Sequence, residues 1–294
     1  MISNGKFYES QFEEATIELL REAHWQYAFG DDIHRKYTDP LIEEELRNFL
    51  TVQYKDKNLT TSEMDSIVAN LRNTGGQNDY YALRNAFLLY RDGYDFAYSD
   101  GRDNPFRLEY IDFEHPDHNI FRCVNQFVME QGRENRRPDI LLFINGIPVC
   151  IIELKNPTKQ NATIHDAHTQ ICTRYMRDIP ALLKYCALAV ISDGAKNALG
   201  TTYTPFEFFY EWKKIENEDK AGKGLDTLRT LIRGALSPER ILEILRDYVY
   251  FPDPTKEDDT TEIVCRYPQF FATRKLRDHI LNHLRSVGGD GKGG

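Results

Sequence analysis

The chain has 294 residues, a formal net charge of −9 and 41% hydrophobic residues, values typical of a globular protein with a sizeable core. No apolar run reaches the roughly 18 residues that a membrane span needs, so we expect no membrane association. Residues 1–6 lack the apolar segment of a signal peptide, which predicts a cytoplasmic protein. The five cysteines are scattered and odd in number, which favours reduced, mostly buried thiols over a disulfide framework or a zinc site.

Hydrophobic periodicity and helix-end signals predict four helices in the first third of the chain, over 10–23, 40–54, 62–73 and 79–91. In the first of them, Ser10 and Glu13 have the spacing of a capping box. The other three are predicted to begin at the caps Asp39-Pro40, Thr61 or Ser62, and Asn78 or Asp79. They are expected to form a helical insertion or flank, at 40–91, that carries no catalytic residues.

The middle of the chain is richer in strand patterns, and the end is mostly helical. Strands are predicted over 107–114 and 119–130, as a hairpin over 138–155, and as a buried strand over 186–191. Helices are predicted over 161–177, 179–183, 206–216, 225–235, 238–248 and 268–286. This order indicates an α/β protein whose sheet is flanked by helices.

Two segments near the end have unusual composition. Residues 251–261 are acidic and contain prolines, which predicts a linker or loop. The glycine-rich end from Gly288 to Gly294 lacks the spacing and the Ser/Thr of a phosphate-binding loop.

The hairpin over 138–155 holds the clearest functional residues. Its two apolar strands surround Asn145-Gly146, a dipeptide that favours a tight turn, and its polar ends carry Asp139 and Glu153. Because alternate side chains of a strand share a face, Glu153 and Lys155 point together. Two converging carboxylates need a cation, and Mg²⁺ prefers oxygen ligands. A lysine beside that ion can orient or deprotonate an attacking water, which is the arrangement that phosphodiester hydrolysis needs.

The two carboxylates converge only if the hairpin is irregular. A regular two-residue turn at Asn145-Gly146 pairs Asp139 with Ile152 and directs it to the face away from Glu153. Pro148 cannot donate to a ladder and favours a bulge or a loop of odd length. We therefore predict an irregular hairpin that pairs Asp139 with Glu153, and regular pairing would exclude the metal site.

Each of these residues also has a purely structural interpretation. Asp139 and Lys155 can be ordinary polar strand ends, and Glu13 can be a solvated acid in the first turn of a helix. Glu153 is harder to explain in this way, because an acid after the apolar run Val-Cys-Ile-Ile needs a partner or a metal.

The helix over 161–177 offers further candidates. Gln170 and Tyr175 can contact DNA, order Lys155 or simply lie on a helix surface. His165 and His168 are three positions apart but have no further ligands nearby in the sequence, which disfavours a transition-metal site.

Charge is unevenly distributed along the chain. Acidic residues gather in 9–18, 43–45, 216–219 and 257–259. Basic residues gather around the hairpin, namely Arg133, Arg136, Arg137, Lys155, Lys159, Arg174 and Arg177. The net charge disfavours a nucleic-acid partner but does not exclude one, since a nuclease offsets its own carboxylates with bound cations.

Taken with these residues, the chain resembles the N-terminal region of the restriction subunit of type I restriction-modification enzymes, a subunit that combines a nuclease with an ATP-driven translocase. Arg137-Pro138-Asp139 and Ile152-Glu153-Leu154-Lys155-Asn156-Pro157 are similar to the PD-(D/E)xK nuclease motif of that family. The segment from Phe12 to Leu20 is similar to its first helix with an acidic residue. The segments 178–180 and 190–194 resemble the part that follows the motif, and 266–272 resembles the entrance to the translocase.

The resemblance covers nearly the whole chain and implies its architecture. The implied fold is an α/β, restriction-endonuclease-like PD-(D/E)xK core, with a mixed sheet flanked by helices and with additional helical segments. The nuclease domain would occupy 1–250. Residues 251–294 would be a linker and the first helix of the translocase, whose ATP site would lie beyond this chain.

The resemblance also implies roles for individual residues. Asp139, Glu153 and the backbone carbonyl of Leu154 would bind Mg²⁺, for which Mn²⁺ can substitute. Glu13 would help directly or through a water, and Lys155 would position the attacking water and steady charge on the phosphate. Double-stranded DNA would be cut largely without regard to sequence, because separate specificity and methyltransferase subunits would supply the recognition.

One spacing departs from the family. Its glutamine and tyrosine normally lie four positions apart on the helix after the motif, whereas Gln170 and Tyr175 are five apart and Arg174 holds the expected position. Four residues turn a helix by about 400° and keep one face, but five turn it by about 500°. A bulge in the helix would restore the geometry.

Two alternatives stay open at the level of the sequence. The chain can be a stand-alone nuclease of the same fold that acts in repair or junction resolution. It can also be a catalytically silent docking module of a larger complex.

Overall fold

A computed structural model of the chain describes residues 4–155, 163–216, 222, 224–252 and 260–285. The elements up to the first long sheet strand are α1 (Asn4–Glu22), β1 (Gln26–Phe29), α2 (Glu43–Gln53), α3 (Thr61–Asn73), α4 (Asp79–Asp92), β2 (Tyr94–Phe96), β3 (Phe106–Leu108) and β4 (Phe121–Asn125).

The second half of the chain holds most of the sheet. The elements that follow β4 are β5 (Met129–Gln131), β6 (Glu134–Arg136), β7 (Ile140–Ile144), β8 (Ile147–Leu154), α5 (Ile164–Thr169), a π-helical segment (Gln170–Tyr175), α6 (Met176–Asp178), α7 (Pro180–Leu183), β9 (Leu188–Ser192), β10 (Asn197–Gly200), α8 (Leu225–Leu231), a second π-helical segment (Ile232–Leu236), α9 (Pro238–Asp247), β11 (Val249–Tyr250), β12 (Ile263–Val264) and α10 (Tyr267–Arg285).

The largest sheet has six strands in the order β1-β4-β7-β8-β9-β10. β1 runs parallel to β4 and β8 runs parallel to β9, whereas the β4–β7, β7–β8 and β9–β10 pairs are antiparallel. Every residue of β7, β8 and β9 is buried, because helices cover both faces of the sheet. The predicted α/β class, with a mixed sheet flanked by helices, is confirmed.

The two faces of the sheet belong to two hydrophobic clusters. Ile140, Leu142 and Ile144 of β7 point into the larger cluster, which also holds the buried side chains of α1 to α4. Leu141 and Phe143 point into the smaller cluster, which lies under α5, the π-helical segment and α7. A side chain on an odd-numbered position of β7 is therefore directed towards the layer formed by 164–183.

The β7–β8 hairpin is irregular, as the sequence predicted. Asn145 and Gly146 form a two-residue turn with φ values of 51° and 76°, and Ile144 pairs with Ile147. The register then shifts, because Leu142 pairs with Cys150 while Phe143 pairs with Pro148. Val149 is the extra residue of a β-bulge next to the proline, which cannot donate to the ladder.

Several predicted element boundaries were wrong. Helix α1 begins at Asn4, so Ser10 lies inside the helix and forms no capping box with Glu13. Thr60, rather than Thr61 or Ser62, caps α3, and its side chain pairs with Glu63 in a capping box. Asn78 caps α4 as predicted, with its side chain accepting the backbone N–H of Tyr81.

Two predicted strands and one predicted helix are also corrected. The strand at 119–130 is interrupted because Gln126 has a positive φ of 56°, and regular pairing ends at Asn125. Of the predicted strand 107–114, only residues 107 and 108 are in a strand, namely β3 (Phe106–Leu108), which pairs with β2. The segment 206–216 is not an α-helix, since Tyr210 exchanges backbone hydrogen bonds with Leu199 at the edge of the sheet. In this conformation Phe209 and Trp212 are buried, whereas Phe208 and Tyr210 are exposed.

The segment after residue 250 packs on the body of the protein. β11 pairs with β12, and Phe270 of α10 is fully buried in the larger cluster. Residues 253–259 of the predicted linker and the glycine-rich end lie outside the described residues. None of the described helices is long and apolar enough to cross a membrane. All five cysteines are free thiols, of which Cys123, Cys150 and Cys186 are buried.

Candidate active site

The bulge places the two carboxylates of the hairpin on one face. Ile140 pairs with Ile152, so the next residues outward, Asp139 and Glu153, lie opposite each other. If Val149 paired with Leu142 in a regular ladder, Asp139 would instead lie opposite Ile152 and on the other face from Glu153. The structure therefore brings the two predicted residues together in the way that the metal-site hypothesis requires.

Glu153 is an acid in an apolar environment. It is 1% exposed, and burial raises the pKa of its carboxyl group well above the usual range. The charge of Asp139 raises this pKa further, whereas Lys155 and a hydrogen bond with Tyr175 oppose the shift. Oε1 accepts a hydrogen bond from the Lys155 ammonium at 2.8 Å, but Oε2 has no hydrogen-bond partner among the described residues. A buried carboxylate oxygen of this kind is costly unless a ligand completes it.

Lys155 links the hairpin to the following helical layer. Its ammonium group donates to Glu153 Oε1 and to Gln170 Oε1, the latter at 2.6 Å. The Gln170 amide in turn donates to the Tyr175 hydroxyl at 2.7 Å. The lysine side chain is 14% exposed, so this chain of hydrogen bonds holds it in one orientation beside Glu153.

A π-helical segment makes the contact between Gln170 and Tyr175. The segment spans these two residues, and in a π-helix the backbone bonds join positions five apart. Tyr175 is buried, whereas Arg174, at the position the family spacing predicted for the tyrosine, is exposed. The irregular helix thus restores the common face that a regular α-helix would have lost.

Asp139 also orients the end of β8. Its Oδ2 accepts the backbone N–H of Leu154 at 2.7 Å. The next N–H, that of Lys155, points the other way and donates to Ser192 of β9. Since the N–H and C=O of one strand residue point to the same neighbour, the Leu154 carbonyl faces the Asp139 side of the sheet. The Leu154 carbonyl oxygen, which the resemblance implies as a metal ligand, is therefore directed towards Asp139.

Glu13 reaches the same end of the sheet from the opposite layer. Helix α1 packs in the larger cluster, and the carboxylate of Glu13 accepts hydrogen bonds from Asn125 at 2.6 Å and from Gln126 at 2.9 Å. Asn125 pairs with Ile140, the residue after Asp139, so Glu13 lies one strand away from the hairpin carboxylates. The described residues do not bring these three acids into one compact ligand group.

Sequence reasoning missed Asn125, Gln126 and Tyr27. The Tyr27 hydroxyl donates to the Asn125 carbonyl oxygen at 3.0 Å, which orients the amide that holds Glu13. The available signal was the polar pair Asn125-Gln126 after the apolar strand residues Cys123-Val124. Polar residues at the end of a sheet strand are frequent site residues.

The predicted basic cluster is divided between two roles. Arg136 and Arg177 both bind Asp178, with nitrogen–oxygen distances of 2.7 and 2.6 Å. Since Arg136 is on β6 and Asp178 is on α6, the first of these ion pairs joins β6 to the helical layer. Arg137 and Arg174 are exposed, as is Arg133. Lys159 lies outside the described residues, together with Asn156 and Pro157 of the motif.

The donor atoms of this site suit a hard divalent cation. Asp139 and Glu153 offer carboxylate oxygens on one face, and Glu153 Oε2 is buried without a partner in the described part of the chain. Neither histidine nor cysteine takes part, so the set fits Mg²⁺ or Mn²⁺ rather than a softer metal.

Comparison with known proteins identifies the family. The family described as "Type I restriction enzyme R protein N terminus" matches residues 6–208. The chain belongs to this family. The match contains every residue of the site described above, from Glu13 to Tyr175, and ends before α8.

Curated relatives of this R-protein N terminus extend the similarity to nearly the whole chain. The "Type I restriction enzyme HindI endonuclease subunit" of Haemophilus influenzae is 28% identical over 285 residues, which are 93% of this chain and 27% of the relative. The putative MjaIXP endonuclease subunit of Methanocaldococcus jannaschii is 27% identical over 296 residues, 92% of this chain and 28% of the relative. The EcoprrI endonuclease subunit of Escherichia coli is 27% identical over 202 residues, 66% of this chain and 59% of the relative. The chain therefore spans little more than a quarter of the length of the first two relatives.

Proposed function

We propose that this chain is the PD-(D/E)xK nuclease module of a type I restriction R subunit and that it hydrolyses phosphodiester bonds of double-stranded DNA with Mg²⁺. The observation that carries the proposal is the bulge at Val149, which sets Asp139 opposite Glu153. A regular hairpin would place Asp139 opposite Ile152 and would separate the two acids. The irregularity has a chemical use, since it assembles two carboxylates beside a lysine.

The residues of the site have different roles in this proposal. Asp139, Glu153 and the Leu154 carbonyl hold the cation, which when bound polarises the scissile phosphate and lowers the pKa of a coordinated water. Lys155, fixed by Glu153 and Gln170, orients the attacking water and stabilises charge that develops on the phosphate. Glu13 acts through a water from the neighbouring strand.

The exposed arginines suit contacts with the DNA backbone. Arg137 lies two positions before Asp139, and Arg174 lies on the π-helical segment beside Tyr175. Phosphate contacts position DNA without selecting a sequence. Specificity and methyltransferase subunits would select the site, and ATP would act only at a translocase outside this chain.

Metal placement tests the site directly. Crystals of this chain are soaked in Mn²⁺, and the ion is located by anomalous scattering. The expected result is one peak within about 2.5 Å of oxygens of both Asp139 and Glu153. Glu153→Gln should abolish the peak. Absence of the peak from the wild-type protein at saturating Mn²⁺ would favour the docking module instead.

Cleavage is tested in the assembled enzyme, with the other subunits, ATP and DNA. Lys155→Ala should lower the cleavage rate at least about 100-fold, because it removes a preorganised charge from the site, while ATP hydrolysis continues. The matched control, Lys36→Ala, removes an exposed lysine and should leave cleavage unchanged. Equal cleavage by wild type and Lys155→Ala would contradict the proposal, and cleavage without ATP would favour a stand-alone nuclease.

A further inference from the structure

A second group of metal-ligating side chains lies in the segment between β3 and β4. One ligand atom from each of Asp112, His115 and His118 lies within 4.8 Å of the others, and the described residues contain no other such group of three. The Nδ1 atoms of His115 and His118 lie 3.3 and 2.8 Å from the same atom, Asp112 Oδ2. The spacing Asp-x-x-His-x-x-His in the sequence is the pattern that produces this convergence.

The carboxylate at the centre of the group is fixed before any ligand arrives. Asp112 is 4% exposed, and its Oδ1 accepts the backbone N–H groups of Glu114 and His115 at 3.0 and 2.9 Å. Gln53, from α2, donates its side-chain amide to Oδ2 at 3.1 Å. Outer-shell hydrogen bonds of this kind hold a metal-binding carboxylate in position.

The two imidazoles are arranged for a shared ligand. Their rings stack at 4.8 Å with an interplanar angle of 23°, and both direct Nδ1 at one oxygen. Their side chains are 66% and 53% exposed, so an ion can enter from solvent. Hydrogen bonding alone would use one oxygen of Asp112 for three donors, namely the two rings and Gln53. A cation bound between Asp112 Oδ2 and the two Nδ1 atoms would instead take all three of these atoms as ligands.

We propose that Asp112, His115 and His118 form a binding site for a divalent transition-metal ion of the zinc class. Tetrahedral zinc with bonds of about 2.0–2.2 Å separates its ligand atoms by about 3.3 Å. The distance from His115 to Asp112 already has this value, and the exposed His118 ring needs to open by about 0.5 Å. Two imidazole nitrogens and one carboxylate oxygen suit zinc, whereas the all-oxygen set at Asp139 and Glu153 suits magnesium.

The position of the site gives it a structural role. The Asn119 side chain accepts the backbone N–H of Asp112 at 2.9 Å and the side-chain amide of Asn145 at 2.8 Å. Asn145 is in the β7–β8 turn, at the opposite end of β7 from Asp139. A metal at Asp112 therefore ties the segment 109–120 to the hairpin that carries the nuclease carboxylates, without taking part in cleavage.

The experiment measures metal binding in the full chain. The substitutions Asp139→Asn and Glu153→Gln first remove the carboxylates of the nuclease site, so that it does not bind the added metal. Metal-free protein is titrated with Co²⁺, whose visible absorption reports tetrahedral nitrogen and oxygen ligands, and with Zn²⁺ by calorimetry. We expect one equivalent to bind and the melting temperature to rise by about 5 °C at excess Zn²⁺. His115→Ala and His118→Ala should each weaken binding by at least about 100-fold, and Gln53→Ala by about tenfold.

The pair His279 and His283 on α10 provides a matched control, because their rings lie 4.1 Å apart but belong to no group of three metal-ligating residues in the described part of the chain. His279→Ala should leave the bound equivalent in place. The proposal is overturned if no equivalent binds, or if His279→Ala removes it while His118→Ala keeps it. Circular dichroism of the metal-free variants verifies that each has folded. A loss of metal binding is then due to the removed ligand and not to unfolding.

Discussion

The amide of Gln170 donates a hydrogen bond to the hydroxyl of Tyr175 at 2.7 Å, although five positions separate the two residues in the sequence. In a regular α-helix this spacing turns the side chains about 140° apart. The π-helical segment removes that difference and keeps Lys155 tied through Gln170. The π-helical segment thus accommodates the one extra residue relative to the spacing that the resemblance implies, and Gln170 keeps its contact with Tyr175.

This explanation predicts that a deletion will be tolerated. Removing Thr173, an exposed residue inside the π-helical segment, should convert it to an α-helix with the glutamine and tyrosine four positions apart. We expect the melting temperature to stay the same or rise and DNA cleavage in the assembled enzyme to stay within about tenfold of wild type. Thermal unfolding of the variant and a DNA-cleavage assay of the assembled enzyme measure the two effects.

The control is the deletion of Ser66, an exposed residue in the regular helix α3. That deletion rotates Ile67 and Val68 out of the core and should lower the melting temperature strongly. If the two deletions are equally destabilising, the π-helical segment is not a removable insertion.

Metal binding at the nuclease site should strengthen as the pH rises. Burial and Asp139 raise the pKa of Glu153, so a proton competes with the cation at pH values below that pKa. The Mn²⁺ affinity should therefore increase by up to about tenfold per pH unit and level off once Glu153 is ionised in the metal-free protein. Calorimetry between about pH 5.5 and 8.5 measures this, and an affinity that is flat over the whole range would contradict it.

Glu262 should limit stability at high pH. It is buried, and burial raises the pKa of its carboxyl group well above the usual range, whereas a hydrogen bond with Thr201 opposes the shift. Its favourable contribution is complete below the pKa of an unfolded glutamate, about 4.3, and is lost as the pH rises through the folded-state pKa. Glu262→Gln should therefore stabilise the protein by about 1–3 kcal/mol at pH 8 and by less near pH 5.

Thermal or urea unfolding at both pH values checks this expectation. Glu207→Gln, which neutralises an exposed acid, is the matched control and should have little effect at either pH. A Glu262→Gln variant that is less stable than wild type at pH 8 would show that the carboxylate is ionised and satisfied.

The amides that hold Glu13 should affect cleavage more than metal binding. Gln126→Ala removes two hydrogen bonds to the Glu13 carboxylate, at 2.9 and 3.1 Å, without touching Asp139 or Glu153. We expect a roughly tenfold slower cleavage step with an unchanged Mn²⁺ affinity, because Glu13 would act through a water. Single-turnover cleavage of DNA by the assembled enzyme measures the cleavage step. Calorimetry of the chain with Mn²⁺ measures the metal affinity separately. A large loss of Mn²⁺ affinity would instead make Glu13 a direct ligand.

Much of the fold was predictable because its signals are local. The apolar strands around Asn145-Gly146 and the cap at Asn78 depend on neighbouring residues alone, and the structure confirms both. Predictions failed where tertiary packing decided the conformation. The aromatic residues of 206–216 have helical spacing, yet Tyr210 pairs with Leu199 at the sheet edge. The start of α1 at Asn4 overrides a capping pattern at Ser10.

The sequence by itself determined which residues are the candidates for the chemistry, because an acid after an apolar run needs a partner and a proline disrupts a ladder. It therefore indicated Asp139, Glu153 and Lys155 and the need for a bulge. Only the tertiary structure decided where the bulge lies, that a π-helical segment aligns Gln170 with Tyr175, and that Asn125 and Gln126 hold Glu13. These relations join residues from different strands and helices, and the register between such elements is set by packing across the whole sheet.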